Sequence, residues 1–133
     1  MQAKTRPEDF QVEERTDFAT GRAGAYAVYR MTKRGIGTIE AVDAVARRWR
    51  LPPSAVAYGG LKDRNAVSRQ TVTIRGGPPR SMRQERIRLE YLGRAGRPFT
   101  ARDILGNRFG IVLRGIPPAS QGSIETALRE AAR

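Results

Sequence analysis

Alternating hydrophobic and polar positions predict two of the β-strands in this chain. Residues 9–14 (DFQVEE) and 86–92 (RIRLEYL) place apolar side chains at every second position, which is the period of a half-buried strand. Other segments are rich in β-branched and aromatic residues. The full set of predicted strands is 9–14, 25–31, 56–58, 67–74, 86–92 and 107–114. A turn-like stretch at 20–24 (TGRAG) suggests that the first two strands form a hairpin.

Two segments have helical periodicity instead. In residues 38–50 apolar side chains recur on one face, Thr38 is the predicted N-cap, and two prolines follow the segment. The predicted apolar face consists of Ile39, Val42, Ala46 and Trp49. A second helix is predicted to begin at Ser123 and to run into the end of the chain. The order β-β-α-β-β-β-β-α predicts an α+β fold, with a mixed, mostly antiparallel sheet, flanking helices and a single domain over residues 1–133.

The charge of the chain points to a polyanionic partner. Its 25 lysines and arginines outnumber 13 aspartates and glutamates, which gives a net charge of +12. Nucleic acid is the partner that this charge fits best. Arg47, Arg48 and Arg50 lie in the last turn of the predicted helix, where they either form a solvated face that complements the negative end of the helix dipole or contact RNA. No apolar run is long enough to span a membrane and no signal peptide is recognisable, so we expect a cytoplasmic protein without a membrane partner.

The chain contains neither cysteine nor histidine. Disulfides, thiol nucleophiles and thiolate metal sites are therefore excluded, and the commonest general base is missing. No carboxylates are spaced to share a site on one strand, so no metal site is expected. An enzyme of this composition has to use carboxylates, lysines, tyrosines, serines or backbone groups.

One aspartate, Asp63, lies between Lys62 and Arg64 within residues 58–70 (YGGLKDRNAVSRQ). The segment is not a phosphate-binding P-loop, because that motif requires Gly-x-x-x-x-Gly-Lys-Ser/Thr and a following helix, whereas a strand is predicted here. Two neighbouring cations favour the ionised carboxylate, and an ionised, partly desolvated aspartate is a competent nucleophile or base. The alternative is an exposed turn residue with weak surface ion pairs.

Three blocks of sequence resemble the TruD family of tRNA pseudouridine synthases. Residues 58–70 are similar to the family's Gly-x-Lys-Asp-x-x-Ala-Val-Thr-x-Gln signature, with Ser68 where threonine is usual. Residues 4–14 (KTRPEDFQVEE) resemble its Lys-x-x-Pro-Glu-Asp-Phe-x-Val-x-Glu block. Residues 106–114 (GNRFGIVLR) resemble its Gly-Asn-x-Phe-x-hydrophobic-x-Leu-Arg block. The order and spacing of the three blocks agree across nearly the whole chain, which makes the resemblance specific.

The resemblance implies a reaction and a set of site residues. Family members isomerise uridine in tRNA to its C-glycoside, pseudouridine, without cofactor or metal, and the resemblance suggests the D-arm region of tRNA. It implies that Asp63 is the catalytic carboxylate, which either adds to the sugar or removes a sugar proton. The matching positions that line the family's site are Lys4, Glu8, Phe10, Lys62, Asn107 and Phe109. Lys4 and Glu8 could pair and brace the pocket, or form only a surface ion pair.

The remaining positions have chemically plausible roles beside ordinary ones. Phe10 or Phe109 could stack on an everted uracil, and the alternative for both is core packing. Asn107 could hold a uracil edge or orient Asp63, or be a turn residue. Lys62 could steer a phosphate or keep the carboxylate charged, or be a solvated cation.

The chain also departs from the family in length. Members are more than twice as long and contain a further Asn-Tyr-Phe-Gly-x-Gln-Arg-Phe-Gly block and an inserted domain, none of which occurs in these 133 residues. We therefore expect the N-terminal part of a TruD-like catalytic domain. The alternative function is a non-catalytic, basic RNA-binding module. The sequence carries no signal of oligomeric state.

Overall fold

The computed structural model describes residues 6–111, which contain seven strands and one α-helix. The strands are β1 (Phe10–Arg15), β2 (Tyr26–Arg34), β3 (Val56–Tyr58), β4 (Val67–Arg75), β5 (Met82–Gln84), β6 (Ile87–Ala95) and β7 (Gly106–Ile111), and helix α1 is Thr38–Arg48. Single 3-10 turns occupy Pro7–Asp9, Pro53–Ala55 and Ala101–Asp103. The short strand β5 was not predicted. The helix predicted from Ser123, residues 112–114 of the last predicted strand and Lys4 lie outside the described residues.

All seven strands form one sheet in the order β5-β6-β2-β4-β1-β7, with β3 also paired to β4. Strands β1 and β4 run parallel, and every other described pair is antiparallel. The predicted α+β class and the mixed, mostly antiparallel sheet are thereby confirmed. Within residues 6–111 no helix is long and apolar enough to cross a membrane.

The predicted hairpin between the first two strands is wrong, because β4 lies between β1 and β2. The turn at 20–24 instead packs against the end of β6, where Gly21 and Arg94 exchange backbone hydrogen bonds of 2.8 Å. Strand β2 pairs over nine residues with β4 and over eight with β6. Hydrophobic alternation describes which face of a strand is buried, but it does not identify the neighbouring strand.

Helix α1 covers one face of the sheet. Its Ala41, Val42, Val45 and Ala46 pack with apolar side chains of β2, β4 and β6 in a single buried cluster. The buried face is therefore centred on Val45, and Ile39, which was predicted to lie on it, is 54% exposed at its edge. The N-cap is Gly37, whereas the predicted cap, Thr38, is the first helical residue and is buried.

Candidate active site

The parallel pairing of β1 and β4 creates a cleft at one edge of the sheet. Because Gln11 is in register with Val67, the loop that precedes β4 arrives beside the beginning of β1. Strand β7 runs antiparallel along the other side of β1, with Phe10 opposite Ile111 and Val12 opposite Phe109. The cleft formed by β1, β7 and the loop that precedes β4 has a volume of about 370 Å³. It is lined by Phe10, Gln11, Val12, Leu61, Lys62, Asp63, Ala66, Asn107, Phe109, Gly110 and Ile111.

Asp63 lies on the loop wall of this cleft and is exposed. Its Oδ1 accepts a hydrogen bond of 2.7 Å from the backbone N–H of Asn65, which forms a tight local turn. The preceding residues are anchored to α1 and β4. The N–H of Lys62 donates to Thr38 Oγ1 at 2.9 Å, and Gln70 Nε2 donates to the Gly60 carbonyl at 3.0 Å. The loop therefore presents the carboxylate from a fixed backbone.

The two cations beside Asp63 in sequence do not pair with it. Lys62 Nζ lies 3.0 Å from Glu14 Oε2, and Arg64 donates to Glu40 Oε1 at 2.7 Å. Among the ion pairs of residues 6–111, none involves the Asp63 carboxylate. Lys62 and Arg64, which were expected to favour the ionised form of Asp63, thus form their ion pairs with other carboxylates.

A buried lysine that the sequence analysis missed lies beneath Asp63. Lys33 is fully buried, and its Nζ donates to the carbonyl oxygens of Ile36 at 2.7 Å, Asp63 at 3.1 Å and Lys62 at 3.4 Å. Burial lowers the pKa of Lys33, and the charge of the nearby Asp63 carboxylate opposes that shift. The sequence did contain a signal. Lys33 continues the inward-facing series of β2, in which a charged residue is unexpected.

Glu14 is the second residue that the sequence analysis missed. Its side chain is fully buried, with Oε1 accepting a 3.0 Å hydrogen bond from the Thr71 N–H and Oε2 facing Lys62 Nζ. The neighbouring Glu13 instead pairs with Arg30 at 2.8 Å. The expectation that adjacent acids on a strand share no site is confirmed here. The Glu14–Lys62 pair ties the Asp63 loop to β1.

Three of the predicted binding residues converge on the cleft from β1 and β7. Phe10 is 39% exposed and Phe109 is 44% exposed, so neither ring belongs to the core. Asn107, opposite Glu14 in the register of β7 with β1, has a buried Oδ1 that finds no hydrogen-bond partner among residues 6–111. An unpartnered buried acceptor in a cleft wall is costly unless a ligand supplies a donor.

Glu8 is not among the residues that line the cleft. Its carboxylate pairs with Arg34, and the hydrogen bond from that guanidinium lowers the pKa of Glu8. A second hollow of about 390 Å³ adjoins the cleft, with which it shares Phe10 and Asp63, and Arg6 contributes a cation to its wall. Asp63 thus separates two hollows.

The lining of the cleft includes the Asp63 carboxylate, two exposed rings and the Asn107 amide oxygen, which has no partner among residues 6–111. Within residues 6–111 no group of three or more acidic residues is placed to hold a metal ion. The exposed rings of Phe10 and Phe109 offer flat apolar surfaces of the kind on which nucleobases stack. Asp63 places a carboxylate, a group that can act as a nucleophile or base, in the same cleft. The cleft is therefore suited to hold a planar polar ring with a carboxylate at its edge.

Comparison with known proteins places the whole chain in one family. A family model described as tRNA pseudouridine synthase D (TruD) matches residues 1–133. The chain is 33% identical to a tRNA pseudouridine synthase D of Methylococcus capsulatus, over 90% of this chain and 35% of that protein. It is 31% identical to one of an Anaeromyxobacter species, over 93% of this chain and 36% of that protein.

A solved structure from Methanosarcina mazei, assigned to tRNA pseudouridine synthase D (TruD), has the same fold. It matches with a TM-score of 0.79 and 25% identity, over 92% of this chain and 29% of that one. The chain thus spans about a third of the length of the relatives that it matches.

Proposed function

The chain belongs to the TruD family of tRNA pseudouridine synthases, and from that premise we propose that the intact protein isomerises uridine to pseudouridine in tRNA, with Asp63 as its catalytic carboxylate. The observation that carries this proposal is the convergence of Asp63, Asn107 and Phe109 on one cleft. These residues come from segments more than 40 positions apart in the sequence, and the sheet register alone brings them together.

The cleft suits a single everted nucleoside. A volume of about 370 Å³ lies within the usual range for small-ligand sites, and the target base has to leave its stack before any atom of its glycosidic bond is accessible. Phe10 and Phe109 provide rings for stacking. Asn107 Oδ1 is an acceptor that receives no donor from the described part of the chain, and uracil N3–H is a donor that could satisfy it.

The reaction is an isomerisation whose atoms balance within the substrate. The bond between uracil N1 and sugar C1′ breaks, the base turns, and C5 forms a new bond to C1′. The C5 proton leaves and N1 gains a proton. Asp63 either attacks C1′ and is later displaced, or removes a sugar proton to start the cleavage. In both cases the carboxylate has to be ionised and held beside the sugar.

The buried residues around the loop support this role indirectly. The Glu14–Lys62 pair and the Lys33 ammonium hold the backbone of Lys62 and Asp63 from two sides. Positioning within a fraction of an ångström is worth orders of magnitude in rate. We therefore assign Lys62 to positioning of the loop rather than to direct contact with the Asp63 carboxylate.

Release of label from tRNA that carries tritium at uridine C5 tests the proposal. We expect the intact protein to release tritium and Asp63→Asn to release none, whereas the matched variant Asp17→Asn, which changes an exposed aspartate outside the cleft, behaves as wild type. Release by Asp63→Asn at the wild-type rate would refute the role of Asp63. Binding of tRNA by the wild-type protein without any label release would favour the non-catalytic RNA-binding module. Mapping of the product tests the D-arm region as the target, which stays a prediction.

A further inference from the structure

A hollow lined by arginines lies at the opposite end of helix α1 from the Asp63 loop. A hollow of about 290 Å³ is formed where the end of α1 meets the loop after β4. Its wall contains three arginines, Arg48, Arg50 and Arg80, and the indole of Trp49, and no acidic residue lines it. We call this set the arginine hollow. Within residues 6–111 none of the three arginines takes part in an ion pair.

The backbone at Arg50 is held in an unfavourable conformation. Its φ is +54°, and it is the only non-glycine residue with positive φ among residues 6–111. Two hydrogen bonds close the C-terminal end of α1 at this point. The Leu51 N–H donates to the Ala46 carbonyl at 2.8 Å, and the Arg50 N–H donates to the Arg47 carbonyl at 3.2 Å. Glycine is the usual residue at this position of such a helix end, because a side chain in the left-handed region is strained. Arginine here therefore costs stability.

The floor of the hollow is held by aromatic packing and a hydrogen bond. The ring of Trp49 packs on that of Tyr29, with centroids 5.4 Å apart, and the Tyr29 hydroxyl donates to the Pro78 carbonyl at 2.5 Å. Tyr29 itself is fully buried. The loop that bears Arg80 is thus fastened to the sheet beneath the helix end, so that the three guanidinium groups surround a preformed surface.

The helix dipole explains only part of this arrangement. Cations in the last turn of a helix are favourable, which accounts for Arg47 and Arg48. The helix dipole does not account for Arg80, which comes from a different segment. Nor does it explain why the strained position is Arg50 when glycine would adopt the same backbone conformation without strain. Strained residues that break a local rule are concentrated at functional sites.

We propose that the arginine hollow binds the phosphodiester backbone of the substrate RNA, away from the target nucleotide; the identity of this RNA rests on the proposed function. Arginine recognises phosphate through paired, directional hydrogen bonds. One end of α1 contacts the catalytic loop through Thr38, the first of its eleven residues, and Arg48 is the last, at a distance of about 15 Å along the helix axis. An RNA that fills both sites therefore contacts the protein at nucleotides well apart from the everted one.

Binding of tRNA to the intact protein tests this inference, with all variants made in an Asp63→Asn background so that turnover does not interfere. We expect the double variant Arg48→Gln, Arg80→Gln to weaken binding and to lower the slope of log K against log salt by about 1 to 2. The matched control is Arg22→Gln, Arg102→Gln, which removes two exposed arginines outside every described hollow. A change no larger than that of the control would overturn the inference.

Arg50→Gly separates RNA binding from stability. Glycine relieves the positive φ, so we expect an equal or higher midpoint of thermal unfolding together with weaker tRNA binding. If Arg50→Gly binds tRNA as tightly as the parent protein, Arg50 is not a phosphate contact and the inference fails. If any arginine variant lowers the unfolding midpoint without affecting binding, that arginine serves the stability of the fold rather than RNA binding, and the inference also fails. Neither failure bears on Asp63, which is tested by label release.

Discussion

The Glu14–Lys62 pair should be far more important for stability than its geometry alone indicates. Its Nζ–Oε2 distance of 3.0 Å is ordinary, but the side chain of Glu14 is 0% exposed and that of Lys62 is 8% exposed. The Arg64–Glu40 pair is closer, at 2.7 Å, but its side chains are 64% and 50% exposed. Burial, not distance, should therefore determine which of the two ion pairs contributes more to the free energy of unfolding.

The expected loss of unfolding free energy depends on which buried charge each substitution leaves unpaired. Lys62→Met leaves the Glu14 carboxylate buried without a compensating charge, which costs about 3–5 kcal/mol. Glu14→Gln keeps an acceptor for the Thr71 N–H and leaves only the lysine unpaired; it should cost less, about 1–3 kcal/mol. The double variant removes both charges and should cost less than the sum of the single variants by about 2 kcal/mol or more.

A double-mutant cycle measured by chemical denaturation of the intact protein tests this reasoning. The exposed pair provides the control cycle, with Arg64→Ala and Glu40→Ala, for which a coupling energy of about 0.2–1 kcal/mol is expected. A coupling energy for Glu14 and Lys62 no greater than that of the exposed pair would show that burial of the pair does not govern its contribution.

Three further predictions follow from the structure. Lys33→Met should lower kcat by roughly tenfold or more with little change in the KM for tRNA. The reason is that the carbonyls of Ile36, Lys62 and Asp63 lose their shared hydrogen-bond donor. An equal effect on kcat and KM would contradict a positioning role for Lys33. The hydrogen bonds from Arg97 and Thr100 hold the pKa of Asp103 well below its usual value of 3.8. The ionised pair therefore contributes fully to stability above about pH 4, and this contribution declines progressively as the pH falls towards the lower pKa of the folded protein. Asp103→Asn should flatten this fall in the unfolding free energy at acid pH. Gly24→Ala should destabilise the fold by more than about 1 kcal/mol, because the new Cβ would lie 2.1 Å from the Ala95 carbonyl oxygen, whereas Gly96→Ala, which meets no atom within 4 Å, serves as the neutral control for unfolding measurements.

The sequence by itself determined the local elements and the family. Helical periodicity predicted the α1 segment, and alternation together with β-branched and aromatic composition predicted six strands, because these patterns record which side of an element is buried and which residues suit a strand. The three blocks around Asp63 identified the family because each combines specific residues at fixed spacing, and the match extends over the whole chain.

Only the tertiary structure decided which elements meet. The sheet inserts β4 between β1 and β2, and that parallel neighbour is what places Asp63 beside Phe10. Likewise, Lys62 forms an ion pair with Glu14, and Lys33 donates a hydrogen bond to the backbone carbonyl of Asp63. Such contacts depend on strand partners distant in sequence, whereas hydrophobic periodicity reports only the local direction of burial, so it cannot specify them.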